Sequence, residues 1–144
     1  MENSEHKKDY FLKEIDIIQD IIKRMAANSF LLKRWAIAVI IATLLFKVDK
    51  YSAFIAFIPL ISFWYLDAYF LRQERLYREL YKWVITNRLN TDEFLFDMNS
   101  SRFNDNVKQE YKIMFSKTLF WFYGSIAILV IAYTTFLLFK CFLS

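Results

Sequence analysis

The stretch that decides the fold is Thr118–Phe139, TLFWFYGSIAILVIAYTTFLLF, 22 residues without a charge, bounded by Lys117 and Lys140. As an α-helix rising about 1.5 Å per residue it reaches roughly 33 Å, enough to cross a hydrocarbon core of about 30 Å. Trp121 and Tyr123 near its start suit the headgroup level. The segment is apolar on every face, and a soluble domain of this size has little interior in which to bury such a helix. It reads as a transmembrane helix.

The rest of the chain agrees. Among 144 residues, 57% are hydrophobic and 20% aromatic, with one Gly and one Pro. Sheet proteins need Gly, Pro, Asn and Asp at their turns, whereas this composition suits long unbroken helices. The expected class is all-α: an integral membrane protein with three transmembrane helices and a cytoplasmic bundle made of their extensions. A single Cys, Cys141, excludes an internal disulfide. One Cys and one His, His6, do not make a zinc site.

A second apolar region, Phe30–Leu71, is interrupted by Lys47, Asp49 and Lys50 and reads as a helical hairpin turning at Val48-Asp49-Lys50. Its first arm is strictly uncharged only from Trp35 to Phe46, about 18 Å of helix, too short to cross alone. Including Phe30–Arg34 makes it long enough if Lys33 and Arg34 snorkel toward headgroups. The second arm runs from Tyr51 to Leu66 and reaches Leu71 if Asp67 is tolerated, with Pro59 expected to kink it. A re-entrant hairpin that stops short of crossing is the competing arrangement.

Charge orients the spans. Residues 1–34 and 67–117 together hold 16 of the 19 Lys and Arg; Lys47, Lys50 and Lys140 are the others. The positive-inside rule places the N-terminus and the 67–117 segment in the cytoplasm and the C-terminus outside. The first 29 residues are charged and lack an early apolar core, unlike a signal peptide. The chain therefore divides into a cytoplasmic amphipathic helix (1–29), a transmembrane hairpin (30–71), cytoplasmic helices and a loop (72–117) and a last span (118–140), all in one membrane domain.

In the first part, Phe11, Ile15, Ile18, Ile22 and Met25 make a heptad-like seam, widened by Tyr10, Ile17 and Ile21. The second arm is expected to continue as one helix to Arg88, with Phe70, Tyr77, Leu80 and Val84 on one stripe. Glu74 with Arg78 and Arg75 with Glu79 are i,i+4 pairs along it. Residues 89–106 read as a loop around an apolar turn at Phe94-Leu95-Phe96. Asp105 is the expected cap of a following helix, whose face Val107, Tyr111, Met114 and Phe115 runs into the last span.

Counting from the turn, Lys33 and Arg34 lie about 16 residues before it and Asp67 about 17 after it, so antiparallel arms bring them to one depth. A carboxylate near the apolar zone is expensive without a basic partner. Asp67 is therefore expected to pair with Lys33 or Arg34 and pin the register of the hairpin, with gating or ion passage as the functional alternative. Ala38 and Ala42 in the first arm, and Ser52 and Ala56 in the second, are small residues four apart that let helices approach.

No catalytic set is legible. The only Gly, Gly124, lies in a span, so there is no phosphate-cradling loop. Asp92, Glu93 and Asp97 lack further ligands for a metal. Bases and acids are near parity on the basic side, unlike a nucleic-acid footprint. No enzymatic activity, cofactor, metal or direct nucleic-acid contact is expected. Arg72, Arg75, Arg78 and Trp83, with the 89–106 loop, are the candidate surface for docking a protein partner.

The run FWYLDAYFLRQERLYR, Phe63–Arg78, preceded by Ile21–Ala26 and a close hairpin, resembles small membrane proteins of bacterial defence loci. These are similar to the SLATT group, two-span effectors associated with nucleotide-signalling systems; Thr118–Phe139 is an addition to that plan. The resemblance implies an anti-phage effector that works with a cytosolic sensor or enzyme encoded nearby and depolarises or permeabilises the host membrane. Three spans offer no obvious internal pore, so such an activity implies a homo-oligomer in the lipid bilayer. An anchor that recruits a soluble defence enzyme and an accessory subunit of a transporter are the alternatives.

Overall fold

The computed structural model describes residues 2–45 and 52–143, with side chains described for 6–45 and 54–140; the expected turn at Val48-Asp49-Lys50 and the side chains of Lys47, Ser52 and Cys141 lie outside the described residues. All secondary structure among the described residues is helical. Helix α1 (Glu2–Leu45) leads through a 3₁₀ segment (Ser52–Ala56) into α2 (Phe57–Asn87). A second 3₁₀ segment (Ser100–Asn106), a short α3 (Glu110–Met114) and α4 (Lys117–Leu143) follow. Three regions, His6–Leu45, Phe54–Asn87 and Lys117–Lys140, are long and apolar enough to cross a membrane.

Helix α1 has 44 residues and fuses the N-terminal amphipathic segment with the first hairpin arm. It contains neither Gly nor Pro, so nothing interrupts its hydrogen-bond ladder over about 66 Å. Helix α2 runs antiparallel to it, because contacts descend one helix as they climb the other. Lys33 meets Asp67, Gln19 meets Tyr81, Glu14 meets Arg88 and Lys7 meets Asp92. Helix α4 is antiparallel to α2: Tyr123 near its start bonds Phe63 and Asp67, and the helix also packs on Ser52–Ala56.

Contrary to the expectation, Pro59 does not kink the middle of an α-helical arm. It falls in the first turn of α2, directly after the 3₁₀ segment. A proline lacks the amide that would bond residue 55 and its ring crowds that carbonyl, so the departure from α geometry precedes it and α2 is unbroken afterwards. The predicted continuous helix from Val107 into the last span is also interrupted. The Trp64 indole N–H donates to the Met114 carbonyl at 2.9 Å, Ser116 N–H bonds the Ile113 carbonyl, and α4 restarts at Lys117. Asp105 caps nothing, because residues 100–106 are themselves 3₁₀; Asn99 caps that segment by accepting from Ser101 N–H at 3.1 Å, and Gln109 precedes α3. Val107 and Ile113 are buried, whereas Tyr111 and Phe115 face outward.

Two apolar cores result. One joins α1, α2, α3 and α4 through Ala36, Ile40, Leu60, Ile113 and Tyr123; the other, around Ile18, Leu80 and Val84, joins α1 to the far half of α2. Small residues do assist the close approach: Ala56 of the second arm is buried as expected, whereas in the first arm Ala36 takes the place expected of Ala38 and Ala42. Ala36 and Ala56 are fully buried, while Ala38 and Ala42 face away from the neighbouring helices. The outer faces stay apolar: Trp121, Ile128 and Leu129 on α4 are each about 70% exposed.

Candidate functional site

Asp67 is wholly buried at a point where α1, α2 and α4 all supply polar groups. Lys33 Nζ lies 2.6 Å from its Oδ2. Tyr123 donates its hydroxyl proton to the same oxygen at 3.1 Å. Ser29 donates to Oδ1 in a very close bond, and Lys33 Nζ donates to Ser29 Oγ at 2.9 Å. A carboxylate has about four acceptor sites, and these three donors occupy most of them. A charge buried without partners is costly, so each helix that leaves this clamp strips Asp67 of a donor.

Aromatic rings close the clamp. Trp64 stacks on Tyr123 with centroids 5.8 Å apart and planes 11° apart, while its indole N–H ties α2 to the end of α3. The Lys33 ammonium sits 5.9 Å from the Phe122 ring centre, which adds cation–π attraction. Tyr123, expected at a headgroup level, is instead fully buried on Asp67. Arg34 does not join; it is exposed and has no carboxylate partner among the described residues. Ser29 carries a readable signal, since it stands one turn before Lys33 on the same helix face.

A second buried ion pair closes the opposite end of the α1–α2 pair. Arg88 Nε and Nη2 donate to the two oxygens of Glu14 at 2.6 and 2.7 Å, with both side chains almost fully buried. The remaining guanidinium protons reach the carbonyls of Glu93 at 2.7 Å, Phe94 at 3.1 Å and Thr91 at 3.3 Å. One side chain therefore holds α1 and shapes the loop after α2. In that loop Phe94 and Phe96 adopt left-handed backbone angles, φ 58° and 57°. Arg102 lies 4.1 Å from the Phe94 ring centre and 5.2 Å from that of Trp83.

The four residues expected to form one docking surface are divided between roles. Arg72 is mostly buried, donating to Glu110 and Asn104 at 3.1 Å each and to the Lys108 carbonyl, so it fastens α2 to the 3₁₀–α3 segment. Trp83 is half-buried between Arg88 and Arg102 and edge-on to Phe94. Only Arg75 and Arg78 line an open cleft. Of the two expected i,i+4 pairs, Glu74–Arg78 forms at 2.7 Å, whereas Glu79 turns to Lys82 at 2.6 Å and leaves Arg75.

The arrangement can hold three helices together and can release them if its charge is changed or repartnered. No protein-family model, curated protein or solved structure matches the chain.

Proposed function

We propose that the chain is a non-catalytic membrane effector of a bacterial anti-phage system, with its N-terminus and the 72–117 segment in the cytoplasm. A partner protein triggers it, and it acts as a homo-oligomer that depolarises the inner membrane. The resemblance of Phe63–Arg78 to defence-locus membrane proteins supports the setting. The observation that carries the mechanism is Asp67 of α2, buried and bonded from both other apolar helices, α1 and α4, at once. A charge so placed makes the closed three-helix unit a conditional state. Its donors are satisfied while the helices stay together, and a second copy that offers new donors can stabilise an opened unit. Rearrangement near the Glu14–Arg88 end is the route by which a partner opens it, because α1 and α2 run uninterrupted from that end to the clamp.

The test is membrane potential, followed with a voltage dye in cells expressing the chain with and without its genomic neighbour under phage challenge. Depolarisation requires the chain, and Asp67→Asn depolarises without phage because the clamp is weakened. Tyr123→Phe, which removes a single donor, gives an intermediate leak and covers the case in which Asp67→Asn fails to fold. An unchanged potential alongside intact protection overturns the effector reading. It favours a membrane anchor, for which the exposed Phe94-Leu95-Phe96 turn is the natural grip for a soluble enzyme.

A further inference from the structure

Between α1, α2 and the segment just after the second 3₁₀ turn lies an open cleft of about 840 Å³. Five cations line it: Lys23, Arg75, Arg78, Lys82 and Lys108. Three carboxylates answer them, Asp20 to Lys23 at 3.3 Å, Glu74 to Arg78 at 2.7 Å and Glu79 to Lys82 at 2.6 Å. Lys23 and Asp20 are each about three-quarters exposed, so their pairing is weak. Arg75 and Lys108 have no carboxylate partner among the described residues. The cleft therefore holds an excess of two fixed positive charges that the chain itself leaves unanswered. Its floor is not purely polar: Ile22 and Val107 contribute apolar surface, and Tyr81 is steadied by a long contact from Gln19 at 3.5 Å.

We infer that this cleft is a binding site for a phosphate-bearing ligand carrying two or more negative charges. The guanidinium of Arg75 presents a planar fork that matches two phosphate oxygens, and Lys108 supplies a point charge across the cleft. Lys23 and Lys82 complete the rim once their carboxylates are outcompeted. The volume falls in the range of sites for small molecules, and the apolar floor takes the non-phosphate part of the ligand. Arg75 follows Asp67 by eight residues, about 12 Å along α2, so the cleft opens close to where the apolar spans end. A phospholipid headgroup and a free phosphorylated metabolite share this chemistry. The site is independent of the effector reading, since a membrane anchor can carry it equally well.

The full chain in phosphatidylcholine nanodiscs is titrated calorimetrically with sodium pyrophosphate. Binding is saturable, and Arg75→Gln weakens it roughly tenfold. Lys108→Gln weakens it in the same direction, and Arg34→Gln, an exposed cation outside the cleft, leaves it unchanged. Circular dichroism reports the fold of each variant, and Lys108→Gln carries the test if Arg75→Gln loses helicity. Adding cardiolipin, whose headgroup carries two phosphates, to the discs separates the sources. A headgroup occupant abolishes the pyrophosphate signal, whereas a site for a free metabolite keeps saturable binding. No saturable heat in phosphatidylcholine, or equal weakening by Arg34→Gln and Arg75→Gln, overturns the proposal.

Discussion

Glu14 and Arg88, 74 residues apart in sequence, meet as a buried pair joined by two hydrogen bonds at 2.6 and 2.7 Å. Neither charge has water to fall back on, so loss of one partner leaves the other stranded. Arg88→Met is expected to destabilise the chain by about 3–5 kcal/mol and Glu14→Leu by a similar amount. The double replacement Glu14→Leu with Arg88→Met is expected to be milder than either single change, because two apolar side chains leave no unpaired charge. Unfolding midpoints in detergent, compared across this cycle, check the prediction. Additive losses would show that the two residues do not act as a pair. Arg88→Met has a further signature: carbonyls 91, 93 and 94 lose their donor, so protease cuts in the 89–98 loop before the helices unfold.

The Asp67 clamp makes unequal demands on its members. Tyr123→Phe removes one hydrogen bond and keeps the ring that stacks on Trp64, an expected loss of about 1 kcal/mol. Lys33→Met leaves the carboxylate without its cation and is expected to cost several times more, on the order of 3–5 kcal/mol. Unfolding in mixed detergent micelles measures both. Equal costs would mean that Lys33 reaches solvent easily and that Asp67 is held mainly by hydroxyl groups.

Much of this geometry follows from spacing, and the remainder does not. The common depth of Lys33 and Asp67 is legible because two helical arms counted from one turn reach the same height at 1.5 Å per residue. Glu14 is a readable anomaly, a charge between Phe11, Ile15 and Ile18 on the seam of α1, and a charge on a buried stripe calls for a partner. That the partner is Arg88 depends on the full length of both helices, which no local pattern encodes. Tyr123 looks like an interfacial aromatic until the rotation of α4 against α2 is known, and a helix apolar on every face carries no periodicity to set that rotation. The break between α3 and α4 has no Gly or Pro to announce it. It comes from Trp64, 50 residues earlier, taking the Met114 carbonyl. The shift from Ala38 and Ala42 to Ala36 has the same origin: all three are small, and only the rotation of α1 selects among them.

The loop after α2 stores strain in two phenylalanines. A left-handed backbone costs a residue with a Cβ about 1 kcal/mol, which glycine does not incur. Phe96→Gly gives up an edge-on contact with Tyr10 at 6.0 Å and relieves that strain, so stability is expected to change by less than about 1 kcal/mol. Phe94→Gly relieves the same strain but also removes the ring under Arg102 and beside Trp83, with an expected net loss of about 1–2 kcal/mol. Thermal unfolding of the two variants side by side decides the matter. A greater loss at Phe96 than at Phe94 would place the main grip on the loop at Tyr10 instead of at Arg102.

Gly124, in the first half of α4, offers a probe of how that helix is used. A Cβ added there meets nothing within 4 Å, and the backbone is helical. Ala therefore fits without a clash, and its higher helix propensity is expected to stabilise the chain by about 0.5–1 kcal/mol. If copies of the chain associate through another face, Gly124→Ala keeps the oligomer and raises the unfolding midpoint. If α4 packs against a second copy across this glycine, the added methyl group holds the two backbones apart, as at small-residue contacts between membrane helices. Crosslinking in native membranes then shows fewer oligomers while the detergent-solubilised monomer is more stable than the parent. Gly124→Ile sharpens the contrast: an outward-facing position accepts the larger side chain, whereas a position between two close helices does not.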